Sequence, residues 1–75
     1  MIVHPREVFK AAILANAASI IVGHNHPSGE PIPSAADDDV TRRLCAAAQL
    51  LDIRFSDHII VGHNRYFSYK EAGRL

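Results

Sequence analysis

The stretch Ser19-Ile20-Ile21-Val22-Gly23-His24-Asn25-His26-Pro27-Ser28-Gly29-Glu30-Pro31-Ile32-Pro33-Ser34-Ala35-Ala36-Asp37 runs from an apolar segment through a proline-rich one into a helix start. Ser19 to Gly23 is short, rich in β-branched residues and apolar, which predicts a strand covered on both faces that ends at His24. Pro27, Gly29, Pro31 and Pro33 let neither helix nor central strand persist, so residues 25–33 form a stiff loop. Ser34 ahead of Ala35, Ala36 and Asp37 reads as a helix N-terminus, and Val40, Leu44, Ala47 and Leu51 continue that helix as a buried stripe.

Upstream, Pro5 suits a first helical turn, where its missing N–H costs nothing, and Val8, Phe9, Ala12 and Ile13 share one face of a helix expected from Pro5 to Asn16. Downstream, Ile53, Phe55, Asp57, Ile59 and Val61 alternate with Arg54, Ser56, His58 and Ile60, as in a strand with one face more buried than the other. Gly62-His63-Asn64-Arg65 then reads as a turn into a short partner strand, Tyr66 to Tyr69. On the outer face of the second helix, Asp38 with Arg42 and Asp39 with Arg43 stand at i,i+4 spacing. The order is helix, strand, loop, helix, hairpin, and the fold class is α/β.

These 75 residues have room for one small domain. With 48% hydrophobic and 21% charged residues the composition is that of a globular protein, not a disordered one. Eight Lys plus Arg balance eight Asp plus Glu, and no basic arm is present, which argues against a nucleic-acid partner. The lone cysteine, Cys45, sits among Leu44, Ala46 and Ala47 as a small hydrophobe, in keeping with a reducing, cytoplasmic setting. No apolar run approaches the ~18 to 20 residues that span a bilayer, and Met1 to Arg6 lack the order of a signal peptide.

His24 and His26 lie two apart at a strand end, so extended backbone sends both rings to the same side. Asp37 stands eleven residues beyond His26, in the first turn of the next helix, and the loop can fold that turn back over the strand end. Two imidazoles and one carboxylate are a usual catalytic zinc set, with a fourth position left for a water whose pKa falls to about 7. Each residue also has a plainer role: an exposed or hydrogen-bonded histidine pair, an N-terminal carboxylate favoured by the helix dipole for Asp37, and an N-cap for Ser34.

Taken jointly they read His-x-His, seven residues, Ser, two residues, Asp. This string matches the JAMM signature of JAB/MPN metalloproteases without a gap. More narrowly, His-Asn-His-Pro-Ser-Gly-Glu-Pro, Thr41-Arg42-Arg43-Leu44 and Asp57-His58-Ile59-Ile60-Val61 resemble the bacterial RadC family, from His4-Pro5-Arg6-Glu7-Val8 almost to the C-terminus. The resemblance implies the JAB/MPN, cytidine-deaminase-like three-layer sheet with flanking helices, here without the family's first helix and first strands. It further implies zinc on His24, His26 and Asp37, with Ser34 as a catalytic residue that helps stabilise the oxyanion of a peptide or isopeptide substrate.

The family's general base is a glutamate on an early strand well upstream of the first histidine. Glu7 falls in a helix the family has downstream of that residue, and Glu30 belongs to the proline-rich loop, so no base is assigned. The start at Met1 reads as a late start codon, a gene remnant or a trimmed piece. As it stands the chain is expected to be an inactive part of a metalloprotease-type hydrolase. The alternatives are a non-catalytic zinc-binding or DNA-repair-associated interaction module and a decayed remnant. An HNH nuclease site is excluded, because that motif spreads its three residues over a ββα unit whereas these are adjacent. His4 and His63 are expected to be solvated and His58 to make a structural hydrogen bond. A sheet without its early strands exposes an edge, which predicts self-association.

Overall fold

The structure, a computed structural model, describes residues 4–75; Met1 to Val3, and with them part of the signal-peptide reading, lie outside the described residues. Helix α1 spans Pro5–Leu14, strand β1 Ser19–Asn25, helix α2 Ala35–Leu51, strand β2 Arg54–Val61 and strand β3 Tyr66–Ser68. Helix α1 stops two residues before the expected Asn16, because Asn16 takes a left-handed conformation (φ 59°) and the Ala17 N–H donates back to the Ala12 carbonyl, which closes the helix end. Asp52 (φ 58°) ends α2 in the same way, with the Ile53 N–H donating to Ala48.

The sheet has the order β1-β2-β3, with β1 and β2 parallel and β2 and β3 antiparallel. Parallel neighbours need a crossover, and α2 supplies it. Phe9 of α1 and Leu44 and Ala48 of α2 pack together on Ile20, Val22, Ile53 and Phe55, so both helices cover the same face of the sheet. This is the α/β architecture expected, with a mixed sheet.

Two strand readings need correction. Strand β1 is covered on one face only: Ile20 and Val22 point to the helices, while Ile21 is 64% exposed, since no described element packs on the second face. Val61 and Tyr66 are exposed on the sheet as well. Strand β2 does not keep one alternation throughout. Ile20 pairs with Phe55 but Ile21 with Asp57, so Ser56 is an extra residue, a β-bulge. Past it the inward phase changes from odd to even, and His58 and Ile60 are buried under α2 where the sequence pattern grouped Asp57 and Ile59 with Phe55.

Candidate metal centre

The carboxyl end of β1 and the first turn of α2 meet at the edge where open α/β sheets commonly bind ligands. His24 lies within β1 and His26 just past it, and their rings come together with centroids 5.2 Å apart. Asp37 closes the group from α2: His24 Nε2 lies 3.1 Å from Asp37 Oδ1, and His26 Nε2 lies 2.9 Å from Asp37 Oδ2. One ligand atom from each of the three residues falls within 4.8 Å of the others. Ligand atoms around a tetrahedral zinc, at about 2.0–2.2 Å from it, sit about 3.3–3.5 Å apart, so a slight opening of this cluster fits the ion.

Asp37 is held by the helix start. The Ser34 side chain accepts from the Asp37 N–H at 3.1 Å, and the Ser34 N–H donates to Asp37 Oδ2 at 2.8 Å, a reciprocal capping box. Burial pushes the Asp37 carboxyl up, but the Ser34 amide and hydroxyl, with His24 and His26, outweigh it and hold the group below the usual carboxylate range. The plain capping role and the ligand position are therefore filled by the same carboxylate.

His26 is oriented by the loop. Its Nδ1 lies 2.9 Å from the Glu30 carbonyl and its Nε2 lies 2.9 Å from Asp37 Oδ2, so both ring nitrogens face oxygens that can only accept. The loop is itself pinned to the β2–β3 turn: the His63 N–H donates to the Gly29 carbonyl at 2.8 Å and the His26 N–H to that of Val61 at 3.3 Å. Gly62 permits this approach, since a Cβ there would stand 2.5 Å from the Gly29 carbonyl oxygen and 2.6 Å from Pro31 Cδ.

Behind His24, Nδ1 lies 3.0 Å from His58 Nε2, and His58 Nδ1 lies 2.6 Å from Thr41 Oγ1. Tyr69 stacks on the buried His58 ring at 4.9 Å and 6°, and its hydroxyl donates to Asp38. Burial and the His24 ring hold the His58 imidazole below its ordinary value. The expected structural hydrogen bond of His58 is present, and it joins His58 and Thr41 to the site, a connection the sequence pattern does not show. Thr41 carried a signal, standing one helical turn after Asp37 and so on the same face.

The other acidic and histidine residues stand apart from this group. The Glu30 carboxylate pairs with Arg65 at 2.6 Å, and Glu7 is exposed on the first turn of α1. His4 and His63 are exposed. Burial pushes the Cys45 thiol up, disfavouring a reactive thiolate. No helix among the described residues is long and apolar enough to cross a membrane.

A family model described as RadC-like JAB domain matches residues 1–74. A UPF0758 protein of Desulfitobacterium hafniense is 58% identical over 99% of this chain, which covers 33% of that protein. The UPF0758 proteins YfjY and YeeS of Escherichia coli are 55% and 56% identical over 97% of the chain, which covers 46% and 49% of them. The chain thus spans about a third to a half of the length of these relatives.

Proposed function

The chain belongs to the RadC-like JAB domain family, and on that premise we propose that it is the zinc-binding part of a cytoplasmic metal-dependent hydrolase of peptide or isopeptide bonds. One observation carries the reading: two imidazoles and a carboxylate converge at 2.9 and 3.1 Å, with one ligand atom from each of the three residues within 4.8 Å of the others. Two ring nitrogens and a carboxylate converging that closely suit a metal ion between them.

His24, His26 and Asp37 would hold the ion, which when bound supplies Lewis acidity and eases deprotonation of an oxygen ligand. Ser34 is suited to the oxyanion. Its hydroxyl stands beside the Asp37 carboxylate on the exposed side of the helix start, from where it can turn its proton to a substrate oxygen. The amide protein or peptide substrate would lie along this edge, its scissile carbonyl between Ser34 and the ligand group. A general base must still move a proton to the departing amine, and no carboxylate of residues 1–75 fills the family's position. Glu30, four residues beyond His26, pairs with Arg65.

Metal analysis after dialysis tests the site: one zinc per chain is expected, and His26→Ala should lose it. Retention of one tightly held zinc by that variant would remove His26 from the ligand set.

A second reading, a non-catalytic zinc-stabilised module, is favoured by the way the same three side chains tie β1, the loop and α2 together. It would be preferred if chelation lowered the melting temperature while a longer chain carrying the upstream glutamate showed no turnover.

A further inference from the structure

The sequence pattern pairs Asp38 with Arg42 one turn along α2, but the carboxylate turns the other way. Asp38 Oδ1 accepts from the Tyr69 hydroxyl at 2.8 Å and from the Arg74 guanidinium at 2.7 Å, 31 and 36 residues further on, whereas Arg42 pairs with Asp39 at 3.4 Å. Asp38 stands in the first turn of α2, beside Asp37. The last residues of the chain are thus tied to the turn that carries the carboxylate of the candidate site.

The segment after β3 is shaped to reach that turn. The Tyr69 N–H donates to the His58 carbonyl at 3.0 Å, which fixes Tyr69 to β2. Gly73, in the left-handed region (φ 69°), lets the chain turn back so that the Arg74 N–H donates to the Tyr69 carbonyl at 2.8 Å. The Arg74 guanidinium then lies over the Phe67 and Tyr69 rings, 5.7 and 5.4 Å from their centroids. Burial, and after it the Asp38 carboxylate, push the Tyr69 hydroxyl up to about 12, so it keeps its proton and remains a donor.

One side chain therefore touches both halves of the candidate site. The Tyr69 ring stacks on His58, which lies 3.0 Å behind His24, and its hydroxyl holds the residue next to Asp37. The direct contacts of Asp37 with His24 and His26 cannot keep the two halves at a fixed separation once an ion enters, because those contacts must open to admit it. Helix ends also fray more readily than helix interiors. Two ties from the helix start to the sheet leave the Asp37 carboxylate free: the contact of Thr41 with His58, and the group Tyr69, Asp38 and Arg74.

We propose that Tyr69 is a positioning residue: with Arg74 it clamps Asp38, fixes the first turn of α2 against the sheet, and so sets Asp37 opposite His24 and His26 for a shared divalent cation. The cation part of this rests on the metal-site reading above; the clamp on the helix start does not.

The experiment pairs amide hydrogen exchange with metal affinity in the 75-residue chain. Tyr69→Phe keeps the ring on His58 and removes only the hydroxyl, and Arg74→Met keeps cover over the rings and removes the charge. In the metal-free protein the Asp38 amide, which donates to the Ser34 carbonyl at 3.1 Å, should lose protection in both variants relative to the Leu44 and Ala48 amides of the same helix. Equal relative protection in the parent and Tyr69→Phe would overturn the clamp.

Zinc affinity, measured by competition with a chromophoric chelator, should fall about 10-fold in Tyr69→Phe, the low end of what groups behind metal ligands contribute. It should fall in Arg74→Met as well, although loss of a positive charge by itself favours a cation. Tighter zinc binding in Arg74→Met would overturn the role given to Arg74, and parent affinity in Tyr69→Phe would overturn the positioning role of Tyr69. Phe9→Leu, in the core on α1, controls for stability: a loss of zinc affinity equal to that of Tyr69→Phe at matched melting temperature would also overturn it. If zinc did not bind the parent chain although the exchange pattern held, the metal reading would fail and the clamp would stand.

Discussion

Ser34 and Asp37 bond each other twice, side chain to backbone in both directions, at 3.1 and 2.8 Å. The first turn of α2 is thus capped by the same carboxylate that faces His24 and His26. Cap and ligand functions can be separated by substitution. Ser34→Ala removes a cap acceptor and should cost about 0.5–2 kcal/mol of stability while leaving zinc bound. Asp37→Asn keeps much of the cap but removes the anionic ligand, so it should lose zinc with a smaller change in stability. Thermal melts and metal analysis of the two variants check this; zinc loss in Ser34→Ala equal to that in Asp37→Asn would mean that the cap, not the carboxylate charge, governs the site.

Gly62→Ala puts a methyl where the Gly29 carbonyl oxygen and Pro31 now lie, at 2.5 and 2.6 Å. Backbone cannot retreat as a flexible side chain can, so the loop must shift, at a cost of about 1–3 kcal/mol. The shift should loosen the Glu30 carbonyl from His26 Nδ1 and weaken zinc binding. A variant with parent stability and parent zinc affinity would show that the loop finds another path over the turn.

Asp57 accepts from Ser68 Oγ, from the Lys70 N–H at 3.0 Å and from its neighbour His58 N–H at 2.7 Å. Burial raises its carboxyl, but these donors and the Lys70 charge outweigh it, and the group sits below the usual carboxylate range. A depressed folded-state pKa stabilises the fold fully above the unfolded value of about 3.9, and that stability is lost as pH falls through the lower folded value. Asp57→Asn should therefore cost about 1–3 kcal/mol near neutral pH and progressively less below about pH 4. A stability gap between the two proteins that stays constant from pH 7 down to pH 2 would contradict it. Urea melts across that range measure the gap.

The zinc-loaded chain should show no appreciable peptidase or isopeptidase turnover, because positioned acid–base catalysis, worth about 10²- to 10⁴-fold, has no residue here to supply it. Adding an upstream segment with its glutamate should restore turnover, and changing that glutamate to Gln should abolish it with zinc retained. Zinc-dependent cleavage by the short chain that disappears in Glu30→Gln would make Glu30 the base, in spite of its pairing with Arg65.

Ile21, Val61 and Tyr66 are 64%, 47% and 58% exposed on the sheet, and β1 has β2 on one side only among the described strands. Apolar surface beside unpaired edge groups favours association. Sedimentation of the isolated chain should show self-association that Ile21→Lys reduces. A monodisperse, cooperatively melting monomer would show that this surface is tolerated in water.

Much of the candidate site was written in the sequence. His24, His26, Ser34 and Asp37 are placed by local rules alone: a two-residue strand period, a loop that prolines stiffen, and a Ser-x-x-Asp helix start that aims its own carboxylate. The left-handed Asn16 and Asp52 end their helices within a residue or two of where the pattern runs out. What lies behind these side chains was decided by tertiary structure. The single extra residue at Ser56 reverses the strand phase, and nothing in an alternating pattern marks where such a residue will sit. That reversal brings His58 under α2 to Thr41 and His24, residues far apart in the chain and joined only when the parallel strands pair. The exposure of Ile21 is of the same kind: an apolar run shows that a strand can be covered on both faces, but only the packing of other elements decides whether it is.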